Sequence, residues 1–272
     1  MSEGVDPSPS GRGAGVRDNG ITMLSKRREL VLRELGLLPL WVPRGRVQSE
    51  QSAVATSARD TPSTPVVGVQ GEDVRTGRIM RADWPELKQM VGTCTDCPLH
   101  AGRKQSVFGV GDERADWLFI GEGPGAEEDA RGEPFVGQAG RLLDNMLAAI
   151  GLKRGQDVYI ANVIKCRPPG NRTPEPLEAL RCEPYLQRQV QLIEPKLIIA
   201  LGKTAASNLL HTEASIASLR GRLHDFRGTP LIVTYHPAYL LRNLIDKAKA
   251  WEDLCYARET MAGLKAGRAV LN

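Results

Sequence analysis

Short apolar segments that alternate with helical patterns constrain the fold of this chain most strongly. The apolar segments are residues 116–120, 157–163, 195–202 and 230–235. Amphipathic patterns typical of helices are residues 136–150, 174–193, 203–210 and 244–265. Strands that alternate with helices predict a mostly parallel sheet that is covered by helices on both faces. The expected fold is therefore an α/β, three-layer α/β/α sandwich with a four-stranded, mostly parallel sheet.

Composition divides the chain into a folded region and a long N-terminal extension. Residues 1–23 are rich in Gly, Ser and Pro, which predicts disorder. Residues 24–42 mix leucines with Lys, Arg and Glu, which predicts a short amphipathic helix. Residues 43–82 are read as a flexible linker, and residues 83–265 as the folded domain. The helix at 24–42 either docks back on that domain or binds a protein partner.

The overall charge and the N-terminus bear on partners and location. The formal net charge is +4 and the pI is about 8.8, which is compatible with nucleic acid but also with an ordinary soluble protein. No apolar run is long enough to cross a bilayer, and the first 20 residues contain no apolar signal-peptide core. We therefore expect no membrane partner and a cytoplasmic location.

Chemistry-bearing residues follow three of the predicted strands. In a parallel sheet, ligands bind outside the carboxyl ends of the strands. Asn162 closes the second strand, and its amide offers both a donor and an acceptor, although a turn-capping role is equally compatible. His236 closes the fourth strand and either donates a hydrogen bond to a developing anion or is a structural histidine. Phe135, in a turn framed by Pro and Gly, either stacks on a flat ligand or belongs to the core.

A glycine-rich segment, residues 121–125, follows the first predicted strand. Its sequence Gly-Glu-Gly-Pro-Gly lacks the Gly-Lys-Ser/Thr of a Walker loop, and Pro124 is incompatible with a dinucleotide fingerprint. The glycines therefore indicate a ligand that approaches the backbone closely. The acidic residues 127–129 that follow are expected to have a structural role in a first helical turn.

Four of the five cysteines form two pairs in the predicted domain. Cys94 and Cys97 have the C-x2-C spacing, and Cys166 and Cys182 form a second, wider pair. Four thiolates suit either a zinc ion or an iron–sulfur cluster, and the spacing does not separate the two. The alternative is a set of unrelated buried thiols.

The segment after His236 ends in Leu240, Leu241 and Arg242. Two adjacent leucines and an arginine beside a site suit a wedge that enters a base stack and supports a flipped nucleotide. The same residues also fit the first turn of the closing helix, and both interpretations can hold.

Four separated motifs occur in the order seen in one known family. They are Gly121-Glu-Gly-Pro-Gly125, Glu133-Pro-Phe-Val-Gly-Gln-Ala-Gly140, Asn162-Val-Ile-Lys-Cys-Arg-Pro-Pro169 and His236-Pro-Ala238. Across residues 85–260 the chain resembles the family 4 uracil-DNA glycosylases, the thermostable iron–sulfur type. The resemblance implies release of uracil from DNA by hydrolysis, and it implies that the four cysteines hold a [4Fe–4S] cluster.

The resemblance also implies a role for each matched residue. Glu122 and Gly123 would line the water and sugar side of the site, with Glu122 in an electrostatic catalytic role. Phe135 would stack on uracil, Asn162 would read the uracil edge, and His236 would stabilise negative charge on uracil O2. The remaining matches are Leu240, Leu241 and Arg242 as a DNA intercalation loop, and Asn171 as a further polar residue near the pocket.

Two other functions stay open on the sequence alone. A non-catalytic iron–sulfur module would bind nucleic acid without releasing uracil, and a zinc-stapled hydrolase would act on free nucleotides. We expect the glycosylase, acting as a monomer on uracil-containing DNA.

Overall fold

The computed structural model describes residues 69–267, with side chains from Val74 onward, and a single sheet dominates them. Its strands are β1 (Val110–Gly111), β2 (Trp117–Gly121), β3 (Val158–Asn162), β4 (Leu197–Leu201), β5 (Leu223–Phe226) and β6 (Thr229–Thr234). The strand order is β1-β3-β2-β4-β6-β5. β3, β2, β4 and β6 are parallel, whereas β1 and β5 pair antiparallel at the two edges.

The four predicted strands are the parallel centre of this sheet, but the predicted strand number is wrong because the sheet has six. β1 has only two residues, so it carries no periodicity that a sequence pattern can reveal. β5 contains His224 and Asp225, and it pairs with β6 across a turn at Arg227 and Gly228, both of which have positive φ. Short or polar edge strands lack the apolar runs that mark buried central strands.

Helices cover both faces of the sheet. They are α1 (Val69–Arg81), α2 (Trp84–Thr93), α3 (Ala126–Arg131), α4 (Gln138–Ala149), α5 (Pro176–Ile193), α6 (Lys203–Leu210), α7 (Ile216–Leu219), α8 (Pro237–Leu240) and α9 (Asp246–Lys265). Two short 3-10 helices lie at Pro98–Ala101 and Pro169–Asn171. One apolar cluster joins α5 and α6 to one face of the sheet, and a second joins α4 and α9 to the opposite face. The predicted three-layer α/β/α arrangement is confirmed.

The end of the predicted linker is part of the folded domain. α1 buries Ile79 in a cluster with Tyr185 of α5. Arg75 donates to the Asp96 carboxylate at 2.6 Å and to the Arg181 carbonyl at 2.8 Å. The prediction of a flexible linker is therefore wrong for residues 69–81, whose polar sequence becomes helical through these tertiary contacts.

The predictions for residues 1–23 and 24–42 lie outside the described residues. Among the helices within 69–267, none is both long enough and apolar enough to cross a membrane.

Candidate active site

A cavity of about 520 Å³ opens at the carboxyl ends of β2, β3 and β6. This volume lies within the usual range for sites that bind small molecules or nucleobases. The residues predicted from the sequence that line it are Glu122, Gly123, Phe135, Asn162, Asn171, His236 and Arg242. Four segments that are distant in the sequence thus meet at the edge where a parallel sheet is expected to bind its ligand.

Phe135 and Asn162 meet over Gly121, the last residue of β2. A Cβ at Gly121 would lie 2.5 Å from both the Phe135 ring and Asn162 Oδ1, so only glycine fits between them. Phe135 adopts a positive φ of 55°, and its carbonyl accepts a hydrogen bond from Arg154 at 2.9 Å. Its ring centroid lies 5.5 Å from that of His236. The aromatic ring is therefore held inside the cavity beside the other two predicted residues.

Asn162 presents a polar atom that has no partner in the described part of the chain. Its side chain is only 2% exposed, and Oδ1 has no hydrogen-bond partner among the described residues. Its backbone carbonyl, by contrast, accepts from Lys165 Nζ at 2.9 Å, and Lys165 also donates to Gln189 at 2.6 Å. Burial lowers the pKa of Lys165 to about 8. The backbone of Asn162 is fixed while its amide remains available, and a buried unpaired acceptor is costly unless a ligand satisfies it.

His236 has a defined tautomer. Its Nδ1 accepts a hydrogen bond from the backbone N–H of Ala238 at 3.1 Å. A backbone N–H can only donate, so the proton of a neutral ring is on Nε2. Burial, reinforced by the positive charge of Arg242, lowers the pKa of His236 to about 4. At neutral pH the ring is therefore an uncharged donor.

Glu128 is a site residue whose role the sequence did not reveal. Its Oε1 accepts from the backbone N–H groups of Val136 and Gly137 at 3.0 and 3.2 Å, and its Oε2 accepts from that of Gly125 at 3.1 Å. This carboxylate lines the cavity and connects the glycine-rich segment to the turn that carries Phe135. Glu128 does have the structural role that was predicted for residues 127–129. Its carboxylate also supports the cavity directly. Its partners are backbone groups, which leave no signal in the sequence.

The four predicted cysteines line one small cavity between α2, α5 and the segment after β3. All four are free thiols. Arg103 donates to Cys166 Sγ at 2.9 Å, and Lys165 and Arg181 line the same cavity. Within the part of the chain that the structure describes, no group of three or more Cys, His, Asp or Glu side chains meets the geometry of a single-ion site. Thiols that share a cavity with basic side chains are nevertheless suited to an anionic, thiolate-bound group.

Comparison with known proteins agrees with this geometry. The family model described as "Uracil DNA glycosylase superfamily" matches residues 108–255, which contain the whole β2–β6 frame of the cavity. The chain belongs to this superfamily. A type-4 uracil-DNA glycosylase of Thermotoga maritima is 47% identical over 159 residues, which cover 58% of this chain and 82% of the relative. The type-4 enzyme of Archaeoglobus fulgidus is 44% identical, with coverage of 57% and 82%.

A type-5 relative is less similar to the chain than these type-4 enzymes. A type-5 uracil-DNA glycosylase of Pyrobaculum aerophilum is 29% identical over 146 residues, which cover 48% of this chain and 64% of the relative. The resemblance to the family 4 enzymes is therefore confirmed, and the type-4 relatives match over more of the chain than this type-5 enzyme.

The intercalation loop predicted for this superfamily member needs a correction. Leu240 is 1% exposed and packs in the core with α4 and α9, so its assignment as a wedge residue is wrong for this structure. Leu241 is 39% exposed, and Arg242 lines the cavity. The next large apolar side chains, Leu244 and Ile245, are also exposed. The roles of Leu241 and Arg242 in an intercalation loop remain a prediction from the family resemblance.

The Glu128 network predicts a measurable effect on this site. Glu128→Gln removes the charge and leaves one acceptor for three backbone N–H groups, so the Phe135 turn should loosen. We expect kcat/KM for uracil release to fall about 10-fold, because hydrogen bonds to charged groups contribute about 1.5–3 kcal/mol. Glu127→Gln is the matched control, since Glu127 is half-exposed and reaches Arg131 only at 4.0 Å. Equal activities of the two variants would contradict the role of Glu128.

Proposed function

We propose that this chain is a uracil-DNA glycosylase, which hydrolyses the N-glycosidic bond of deoxyuridine in DNA. It releases uracil and leaves an abasic site, the first step of base excision repair. The observation that carries the proposal is the joint placement of Phe135, Asn162 and His236 in one cavity, where Asn162 Oδ1 has no partner within the described chain. The family membership supports the same reaction.

Recognition in this proposal requires a base that has left the helix stack. Flipping costs a few kcal/mol, and the pocket compensates by stacking and by hydrogen bonds to the base edge. The Phe135 ring offers the stacking surface. Asn162 Oδ1 accepts from uracil N3–H, and its Nδ2 donates to uracil O4. Cytosine carries an amino group at that position and no N3–H, so the same amide disfavours it.

Catalysis in this proposal depends on charge that appears as the glycosidic bond breaks. Uracil becomes anionic and the sugar gains oxocarbenium character. The neutral His236 donates from Nε2–H to uracil O2, and donors of this kind contribute on the order of 2.7–4 kcal/mol. The Glu122 carboxylate lines the same cavity. In this proposal it faces the sugar, stabilises the developing positive charge and orients the attacking water.

Release of free uracil tests this function. The full-length chain is incubated with single-stranded and duplex oligonucleotides that contain one deoxyuridine, and uracil and alkali-labile abasic sites are quantified. Deoxyuridine and its nucleotides serve as competing free substrates. Uracil release from DNA alone supports the proposal. Binding without release would favour the non-catalytic module, and release from free nucleotides would favour a nucleotide hydrolase.

We further propose that Cys94, Cys97, Cys166 and Cys182 hold a [4Fe–4S] cluster. Four thiols around one cavity with adjacent basic side chains fit a cluster in which each iron takes one thiolate. Such a group would supply a covalent cross-link between α2, α5 and the segment after β3, and no electron transfer to the substrate. Cys166 lies four residues after Asn162, so the cysteine site and the base-reading residue share one segment.

Iron content tests the cluster. The wild-type chain, purified without oxygen, is expected to contain about four irons and to absorb broadly in the visible range. Cys166→Ser should lose most of this iron, whereas Cys255→Ser, in α9, should keep it. Zinc in the wild-type chain, or full iron in the Cys166 variant, would contradict the assignment.

The same proposal extends to location and assembly. A repair enzyme that acts on chromosomal DNA works where that DNA is, so we place it inside the cell, in the cytoplasm and associated with the nucleoid. We likewise propose that the chain acts as a monomer. A protein partner for residues 24–42 remains a prediction from the sequence.

A further inference from the structure

Tyr239 is an aromatic residue at the cavity mouth that none of the roles above uses. It lies in α8, three residues after His236, and it lines the cavity together with Arg242. Its side chain is 36% exposed, in contrast to the buried Phe135. An exposed aromatic ring beside a nucleobase pocket offers a π-face to a second base.

The ring of Tyr239 is held in one orientation before any ligand binds. It stacks on Tyr235 with ring centroids 5.2 Å apart and an interplanar angle of 11°. Its hydroxyl donates to the Asp246 carboxylate at 2.7 Å. Tyr235 in turn contacts the Arg220 guanidinium at 5.8 Å, and Arg220 is anchored by the buried Asp253 at 3.0 Å. Tyr235 thus occupies one face of the Tyr239 ring, and the Tyr239 side chain lines the cavity.

We infer that Tyr239 forms a stacking subsite for the nucleobase next to the flipped uracil in the same strand. The inference rests on the proposed glycosylase function, since it needs a uracil in the cavity. Stacking on an aromatic side chain is tolerant of sequence, because every base has a π-face. Arg242, on the same rim, provides a positive charge for the phosphate between the two nucleotides. The subsite holds the strand after the base has left the stack, whether or not a complementary strand is present.

The alternative role for Tyr239 is to brace the His236 loop through Asp246. The two roles differ in whether the neighbouring base matters. If Tyr239 only braces the loop, its replacement reduces activity equally on every substrate. If Tyr239 stacks on the neighbouring base, the loss disappears when that base is absent.

The experiment combines a protein change with a substrate change. Single-stranded oligonucleotides carry deoxyuridine flanked by normal nucleotides, or by a tetrahydrofuran abasic analogue on the 5′ or the 3′ side. Tyr239→Leu should lower kcat/KM about 5- to 150-fold on the normal substrate, mainly through KM, which corresponds to 1–3 kcal/mol of stacking. On the oligonucleotide that lacks the stacked base, kcat/KM of the variant and of the wild type should differ by less than about 2-fold. Tyr239→Phe, which keeps the ring, should recover most of the loss.

Controls separate this inference from the proposed function. Trp251→Leu removes an exposed aromatic side chain of α9 outside the cavity, and it should leave kcat/KM unchanged on all three substrates. An equal loss for Tyr239→Leu on all three substrates would overturn the stacking subsite. If the wild type released no uracil, the glycosylase proposal would fail instead. Fluorescence of 2-aminopurine beside the deoxyuridine would then still report whether Tyr239 stacks on that base in the bound strand.

Discussion

His236→Ala is expected to lower kcat for uracil release by about 10²- to 10³-fold while the fold and the iron content stay intact. The loss follows from the removal of one preorganised donor aimed at developing negative charge. Within residues 74–267 the ring makes one hydrogen bond, from the Ala238 N–H to Nδ1, so its removal should cost little stability. KM should change much less than kcat, because the donor acts mainly in the transition state. Single-turnover release of uracil measures the effect.

A surface histidine provides the matched control. His211 is exposed, does not line the cavity, and has a positive φ of 48° at the end of α6. His211→Asn keeps a residue type that tolerates this conformation, and it should retain wild-type activity. Full activity of His236→Ala would overturn the assignment.

The pH profile tests the protonation state of the same histidine. The pKa of His236 is lowered to about 4, below the ordinary value of 6.5. The neutral ring is therefore present from pH 8 down to about pH 5, and the wild-type rate should not rise as the pH falls through 6.5. A mechanism that used the imidazolium would show such a rise. A steep gain in rate between pH 7 and 5.5 would contradict the neutral donor.

The sequence predicted the central strands and the site residues well where burial follows a regular pattern along a strand or where a motif is continuous in the sequence. The strands β2, β3, β4 and β6 are fully or almost fully buried, so their apolar runs predicted both their positions and their parallel arrangement. Because parallel sheets bind ligands outside the carboxyl ends of their strands, Asn162 and His236 were expected at one edge of the sheet. Both residues line the cavity there. Separate motifs on separate strands could be assigned to one site because the topology of such sheets is restricted.

The features that the sequence did not predict depend on contacts between distant, polar segments. α1 has a largely polar sequence. Ile79 packs in a cluster with Tyr185, and Arg75 bonds to Asp96 and Arg181. Glu128 supports the site through backbone N–H groups, which are present at every residue and therefore carry no pattern. Leu240 was misassigned because two adjacent leucines look alike in the sequence, although a short helix directs one into the core and the other outward. Which of the two leucines is buried and which is exposed can be read only from the geometry of this segment.

Asn162→Ala should lower kcat/KM on uracil-containing DNA by roughly 100-fold, about 3 kcal/mol, the upper range for a bidentate base contact. The side chain is buried and its Oδ1 lacks a partner among the described residues, so nothing in that part of the chain loses a bond to this oxygen when it is removed. The free energy of unfolding should therefore change far less than the activation free energy. Asn208→Ala is the control, because that amide bonds to the Thr204 carbonyl on α6 and lies outside the active-site cavity.

A changed substrate shows whether the amide reads the uracil edge. In 3-deaza-2′-deoxyuridine, a C–H group replaces the N3–H that Asn162 Oδ1 is proposed to accept. For each protein we compare kcat/KM on uracil with kcat/KM on the analogue. This ratio should be about 10-fold or more larger for the wild type than for Asn162→Ala, because a buried acceptor that loses its partner carries the desolvation penalty. Comparing the ratio between the two proteins cancels the altered leaving-group chemistry of the analogue. Identical ratios would mean that Asn162 shapes the cavity without reading the base, and base selection would then have to come from backbone groups of the glycine-rich segment.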